Sequence, residues 1–210
     1  MCMNEKKIIE NIKVSHDISL TSTDIHKLVE ELKELEGGII DNIYESDGKI
    51  GLKVRQSGKV LMLLLEPERR VNITTYTYNW RATNFVIMIR KHLRGLKIKS
   101  IKQHEFDRIL EIQIGDEYRV IVEVLRRGNF IVTKGNKIIF AKKHVHMKDR
   151  SIYPGTEFKY PPGAPRYPLN INLKDEFGKL GLKENVYKLL LKLGIGRKYV
   201  NEILYRAQIN

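Results

Sequence analysis

The chain has 210 residues, 42% of them hydrophobic, enough to bury the core of one medium or two small domains, so disorder is excluded as the default state. Its 38 Lys and Arg against 25 Asp and Glu leave a net charge of +13, which makes a polyanion the first partner to consider, although the same charge also serves solubility. One cysteine, Cys2, excludes a disulfide framework and a cysteine zinc site, residues 1–13 do not read as a secretory signal, and the longest apolar run, 60–65, is far shorter than the roughly 20 residues of a membrane span.

From 24 to 36 the apolar residues Ile25, Leu28, Val29, Leu32 and Leu35 share one helix face, with Thr21, Ser22 or Thr23 to cap it and Gly37-Gly38 to stop it. Asp47-Gly48 and Ser57-Gly58 tolerate the positive φ of tight turns, which predicts a meander of strands at 39–46, 49–54 and 60–66. A short helix over 85–93 ends at Gly95 and presents Arg90, Lys91 and Arg94, with 90 and 94 one turn apart. Strands are expected at 96–101, 106–114, 117–125, 130–133 and 137–140. The fold class is therefore α+β, a β-sandwich or flattened barrel with packed helices. Five of the six prolines fall in 153–168, a strap that ends a first domain of residues 1–168, whose residues 1–19 form an extension. A small helical module follows over 169–210.

The stretch HEFDRILEI, residues 104–112, opens like a strand and sets Asp107 beside Arg108, which the side-chain period of two sends to opposite sides of the sheet. A turn around Gly115-Asp116 pairs this segment with 117–125. With a two-residue loop Arg108 lies opposite Glu123. With a three-residue loop Leu110, Ile112 and Ile114 align with Val122, Val120 and Tyr118, and Arg108 lies opposite Val124. Arg108 shares parity with the core-side residues, so it either sits at the strand's end, snorkels to water, pairs structurally with Glu123, or is left for a ligand.

The second candidate is KLGIGRKY, residues 192–199. Apolar residues on either side make two short helices joined by a turn in which Gly194 and Gly196 allow tight geometry. The unpaired amides at the second helix's start, with Arg197 and Lys198 beside them, can hold a phosphate; the alternative is a hairpin used only for packing. His144 and His146 share a strand face without a third ligand nearby, which argues against a metal site. Arg126-Arg127-Gly128-Asn129 reads as a solvated turn. No Walker loop, Gly-x-Ser-x-Gly elbow or His-Glu-x-x-His occurs, so the chain reads as a non-enzyme without a cofactor of its own.

The ordered segments EGGIIDNIY, LLLEPERR, IRKHLRGLKI, FDRILEI, VEVLRRGNFIV, KDRSIYPGTEFKYPP and LGIGRKYVNEILYRA together resemble the N-terminal NFACT domain, over roughly residues 20 to 208. This family is known in bacteria as fibronectin-binding protein A-like and elsewhere as a ribosome quality control factor. The resemblance implies a fold related to the formamidopyrimidine-DNA glycosylase N-domain, followed by a helix-hairpin-helix module. It implies cytoplasmic work on the large ribosomal subunit blocked by peptidyl-tRNA, where tRNA is recruited to extend the stalled chain, and no membrane partner. It carries tRNA engagement to Asp107 and Arg108, proximity to anticodon bases to Glu123 and Val124, and a weaker transfer to Asp24. Arg90, Lys91, Arg94, Arg126, Arg127, Arg197 and Lys198 would supply unspecific attraction to the backbone.

This sequence departs from the family where Glu68 replaces a usual Gly and where NWRATNF lacks prolines. It also stops before the coiled coil and later RNA-binding domain of complete members. A DNA glycosylase is the enzymatic alternative, but it would need an N-terminal proline amine, and no Pro precedes Pro67. A fibronectin-binding adhesin is the third reading.

Overall fold

The computed structural model describes residues 20–163, 172, 175 and 178, and 186–209. The first helix, α1 (Ser22–Leu32), begins at a capping box: the Thr21 hydroxyl accepts from the Asp24 amide at 3.2 Å, while the Asp24 carboxylate accepts from the Thr21 amide at 2.8 Å. Its apolar face buries Ile25, Val29 and Leu32, and a 3-10 turn over Lys33–Leu35 adds Leu35. The meander follows as β1 (Ile39–Ser46), β2 (Lys49–Gln56) and β3 (Lys59–Glu66), turning at Asp47 and Ser57, both at positive φ, as the Asx-Gly and Ser-Gly pairs predict. A fourth strand, β4 (Arg70–Ile73), completes this antiparallel sheet and was not expected; only Val71 of its four residues is buried, too weak a pattern to read.

Helix α2 (Asn84–Leu93) turns Val86, Ile89 and Leu93 inward. It leads to a five-stranded antiparallel sheet in sequential order: β5 (Ile98–Gln103), β6 (Ile109–Ile114), β7 (Tyr118–Glu123), β8 (Phe130–Lys134) and β9 (Lys137–Ala141). The two sheets face each other over one core in which Ile43, Leu52 and Leu63 meet Ile112, Val120 and Val132, with α1 and α2 packed against it. Along one side the sheets join through the Ile39–Lys97 bridge and the hydrogen bond that the Gly37 amide donates to the Ile98 carbonyl at 2.8 Å, which accounts for the flattened-barrel character.

The outer face of the second sheet has its own cover. Ile109, Ile121, Ile131 and Ile138 pack against Ile152 and Phe158, brought there by the short pair β10 (Val145–His146) and β11 (Ser151–Ile152) and by the start of the proline-rich run. The described part of that run packs on the sheet through Phe158 and Tyr160; Pro165 and Pro168 lie outside the described residues. Two helices, α3 (Val186–Lys192) and α4 (Arg197–Arg206), meet at Gly194, whose φ of +81° closes the turn. The extension 1–19 and the boundary near 168 also lie outside the described residues.

Candidate nucleic-acid interface

The three-residue register is the one formed. Ile112 pairs with Val120, Leu110 with Val122, and the Val124 amide donates to the Arg108 carbonyl at 2.8 Å. The strand itself, however, starts at Ile109 rather than Phe106. The chain turns between β5 and β6 through Glu105, at φ +46°, with the Asp107 amide donating to the His104 carbonyl and the His104 amide to that of Ile109, both at 3.0 Å. Asp107 and Arg108 therefore stand in a hairpin end, where the alternation of strand side chains no longer applies. Both are half-buried, and the Asp107 carboxylate accepts from the Arg108 amide at 2.7 Å. The Gln103 side chain fixes the loop by donating to the carbonyls of Asp107 (2.8 Å) and Ser22 (2.9 Å).

Glu123 and Val124 take the opposite course. Glu123 is 1% exposed and its carboxylate is gripped by both terminal nitrogens of Arg150, at 2.5 and 3.2 Å, while Val124 is fully buried. The resemblance led us to expect these two residues near anticodon bases; in the fold both side chains are buried, and the Glu123 carboxylate pairs with Arg150. The backbone around the pair is equally crowded, with the Glu68 amide on the Glu123 carbonyl at 3.2 Å and Gly128 so close that a Cβ there would stand 1.9 Å from that oxygen. A polar cleft of about 390 Å³, lined by Arg150, Met147, Ser151 and Lys159 among others, opens beside it.

Asp24 is likewise engaged by protein. Beyond its cap it accepts from Lys198 Nζ at 2.9 Å and from the Tyr199 hydroxyl at 2.5 Å. Burial pushes its pKa up, but the bonds from Tyr199, Thr21 and Lys198 together hold it below its ordinary value. Gly196, the N-cap of α4, lies so near Thr21 that a Cβ would meet its methyl at 2.3 Å. At the start of α4 the side chains of Lys198 and Tyr199 are thus engaged by the Asp24 carboxylate. Arg197 remains exposed.

Arg90 donates twice to the Ile43 carbonyl, Nε at 2.7 Å, and lies 5.2 Å from the Tyr44 ring, so it anchors α2 to β1. Arg94 reaches the Asp41 carbonyl at 2.9 Å but stays exposed, as do Lys91, Arg126 and Arg127. One cluster escaped the sequence reading. His104 stacks on Tyr160 at 3.5 Å and 2°, with Glu111 between His104 (3.5 Å) and Arg119 (3.6 Å). Burial and Glu111 drive the Tyr160 pKa up, keeping it a donor. These residues are 56 positions apart, and the stack braces the hairpin end that carries Asp107. Among the described residues no group of His, Cys, Asp and Glu is placed to hold a metal, and no helix is long and apolar enough to cross a membrane.

Comparison with known proteins adds a family to this geometry. The profile described as NFACT N-terminal and middle domains matches residues 21–210. The archaeal Rqc2 homolog aRqcH of Methanocaldococcus jannaschii is 26% identical over 211 residues, covering 91% of this chain and 31% of that protein. The Rqc2 homolog RqcH of Streptococcus pneumoniae is 32% identical over 205 residues, covering 85% of this chain and 37% of its own length. This chain thus spans about a third of these relatives. Among solved structures, the N-terminal domain of fibronectin-binding protein PavA from Streptococcus pneumoniae superposes with a TM-score of 0.80 at 28% identity, covering 89% of this chain and 79% of that one.

Proposed function

The chain belongs to the NFACT family, matched through its N-terminal and middle domains, and from this premise we propose that it is a non-enzymatic, tRNA-binding part of a ribosome-associated quality control factor. Relatives from Drosophila melanogaster and Saccharomyces cerevisiae are named as ribosome quality control complex subunits, and the hairpin end carrying Asp107 and Arg108, braced by Gln103 and the His104–Tyr160 stack, is the observation that carries the reading. A guanidinium can fork to a phosphate or stack on a base, while a carboxylate accepts from exocyclic amines; a carboxylate repels the backbone, so Asp107 serves selection. Glu123, Val124 and Arg150 support this loop from below through the bond between Val124 and Arg108. Arg94, Lys91, Arg126, Arg127 and Arg197 supply salt-sensitive attraction.

In the whole protein this part would act in the cytoplasm on large subunits holding peptidyl-tRNA, recruiting tRNA for tailing, with α3 and α4 as a helix-hairpin-helix domain docked on α1. The test is binding of wild type and the Asp107→Ala, Arg108→Ala double variant to a panel of tRNAs at fixed salt. Loss of charge-assisted bonds should weaken the preferred tRNA by about tenfold or more, with the fold retained. Equal binding, or unfolding of the variant, would favour a purely structural pair. The likeness to a fibronectin-binding protein favours a second reading, capture of a matrix protein. Binding to tRNA that falls steeply with salt, without binding to fibronectin, separates the two.

A further inference from the structure

After β4 the chain runs on as TTYTYNW, residues 74–80, and its aromatic residues alternate. Tyr76 and Tyr78 meet edge to face at 4.7 Å, Tyr78 and Trp80 at 5.0 Å, and Trp80 approaches Tyr44 of β1 at 6.4 Å. The row lies on the outer side of the first sheet, away from the core. Gly51 of β2 makes this possible, because a Cβ there would stand 2.9 Å from the indole. The ladder is held below and open above: Arg70 donates to the Tyr78 hydroxyl at 2.8 Å, yet Tyr76 is 65% exposed. Tyr78 and Trp80 are half-buried, so the exposed Tyr76 ring is the end of the row on which a flat partner can stack.

The surrounding charge says what. Lys49, Arg69 and Arg70 share the single carboxylate of Glu66, at 3.9, 3.6 and 3.0 Å, and Lys53 and Arg55 share that of Asp41, at 3.1 and 2.7 Å. Five cations to two carboxylates leave this face positive, and Lys49 also lies 5.8 Å over the Tyr78 ring. Aromatic faces interleaved with unspent positive charge are the two requirements of single-strand recognition, rings for bases and cations for the backbone between them. A protein partner would find its apolar area interrupted by these charges.

We propose that Tyr76, Tyr78 and Trp80 form a stacking platform for unpaired bases of single-stranded RNA, separate from the Asp107–Arg108 hairpin and independent of what that hairpin binds. Trp80 is the chain's one tryptophan, so its fluorescence reports this face alone. Titrating the full chain with an oligoadenylate of about ten nucleotides should quench Trp80 to saturation, whereas polyphosphate at equal ionic strength should not. Tyr76→Ala should weaken the oligonucleotide about tenfold, and Tyr76→Phe should retain it. Quenching that polyphosphate reproduces, an unaffected Tyr76→Ala variant with an unchanged melting curve, or quenching by fibronectin and not by oligoadenylate would each overturn the assignment.

Discussion

Glu68 sits at φ +75°, a backbone conformation that costs a residue with a Cβ roughly 1–2 kcal/mol. The turn needs it there, because the Glu68 amide donates to the Glu123 carbonyl and so ties the end of β3 to the end of β7. What the glutamate gains is an ion pair with Lys143, but both side chains are about half exposed, at 40% and 47%, and such pairs contribute little. The family resemblance expects glycine at this position, and the geometry explains that expectation. Glu68→Gly should therefore keep the amide bond, relieve the strain and raise stability by up to about 1 kcal/mol, read as a higher urea midpoint at unchanged slope. A lower midpoint would mean that the Lys143 pair outweighs the backbone.

The strands that carry the hairpin depend on a buried pair that the residues nearby in sequence do not announce. Arg150 is 9% exposed in its side chain and Glu123 1%, so removing either partner leaves an uncompensated charge and should cost about 3–5 kcal/mol. Arg150→Met alone should show that loss in denaturant unfolding, and Glu123→Leu with Arg150→Met should recover most of it; a double variant no better than the single would refute the pair's isolation. The hairpin was legible here but its register was not: the sequence left two loop lengths open, and the structure forms the one that pairs Leu110, Ile112 and Ile114 with Val122, Val120 and Tyr118. The strand's start was not legible either, since Phe106 is buried and shares parity with Leu110, extending the apolar pattern into a turn. Nor does glutamate at 105 signal a left-handed residue. Arg150 lies 27 positions from Glu123, and Tyr160 lies 56 from His104, so these partners follow from topology rather than from local spacing.

At the scale of the molecule, Asp24 joins α1 to α4. One oxygen closes the cap of α1, the other receives Lys198 and Tyr199 from α4, and Gly196 admits Thr21 at a distance no larger residue would allow. Because these bonds favour the carboxylate, the folded pKa lies below its ordinary value of 3.8. A depressed acid contributes stability that is fully present above the unfolded value and is lost as pH falls through the folded one. Asp24→Ala should thus lower the melting temperature at pH 7, by about 2–4 °C for a cap worth about 1 kcal/mol. The gap from wild type should stay constant through the neutral range and shrink only below about pH 4. Hydrogen exchange in α1 and in the first turn of α4 should quicken together in the variant, because the same carboxylate restrains both ends. Faster exchange in α1 alone would show that α4 is held to the sandwich by its apolar contacts and not by this shared anion.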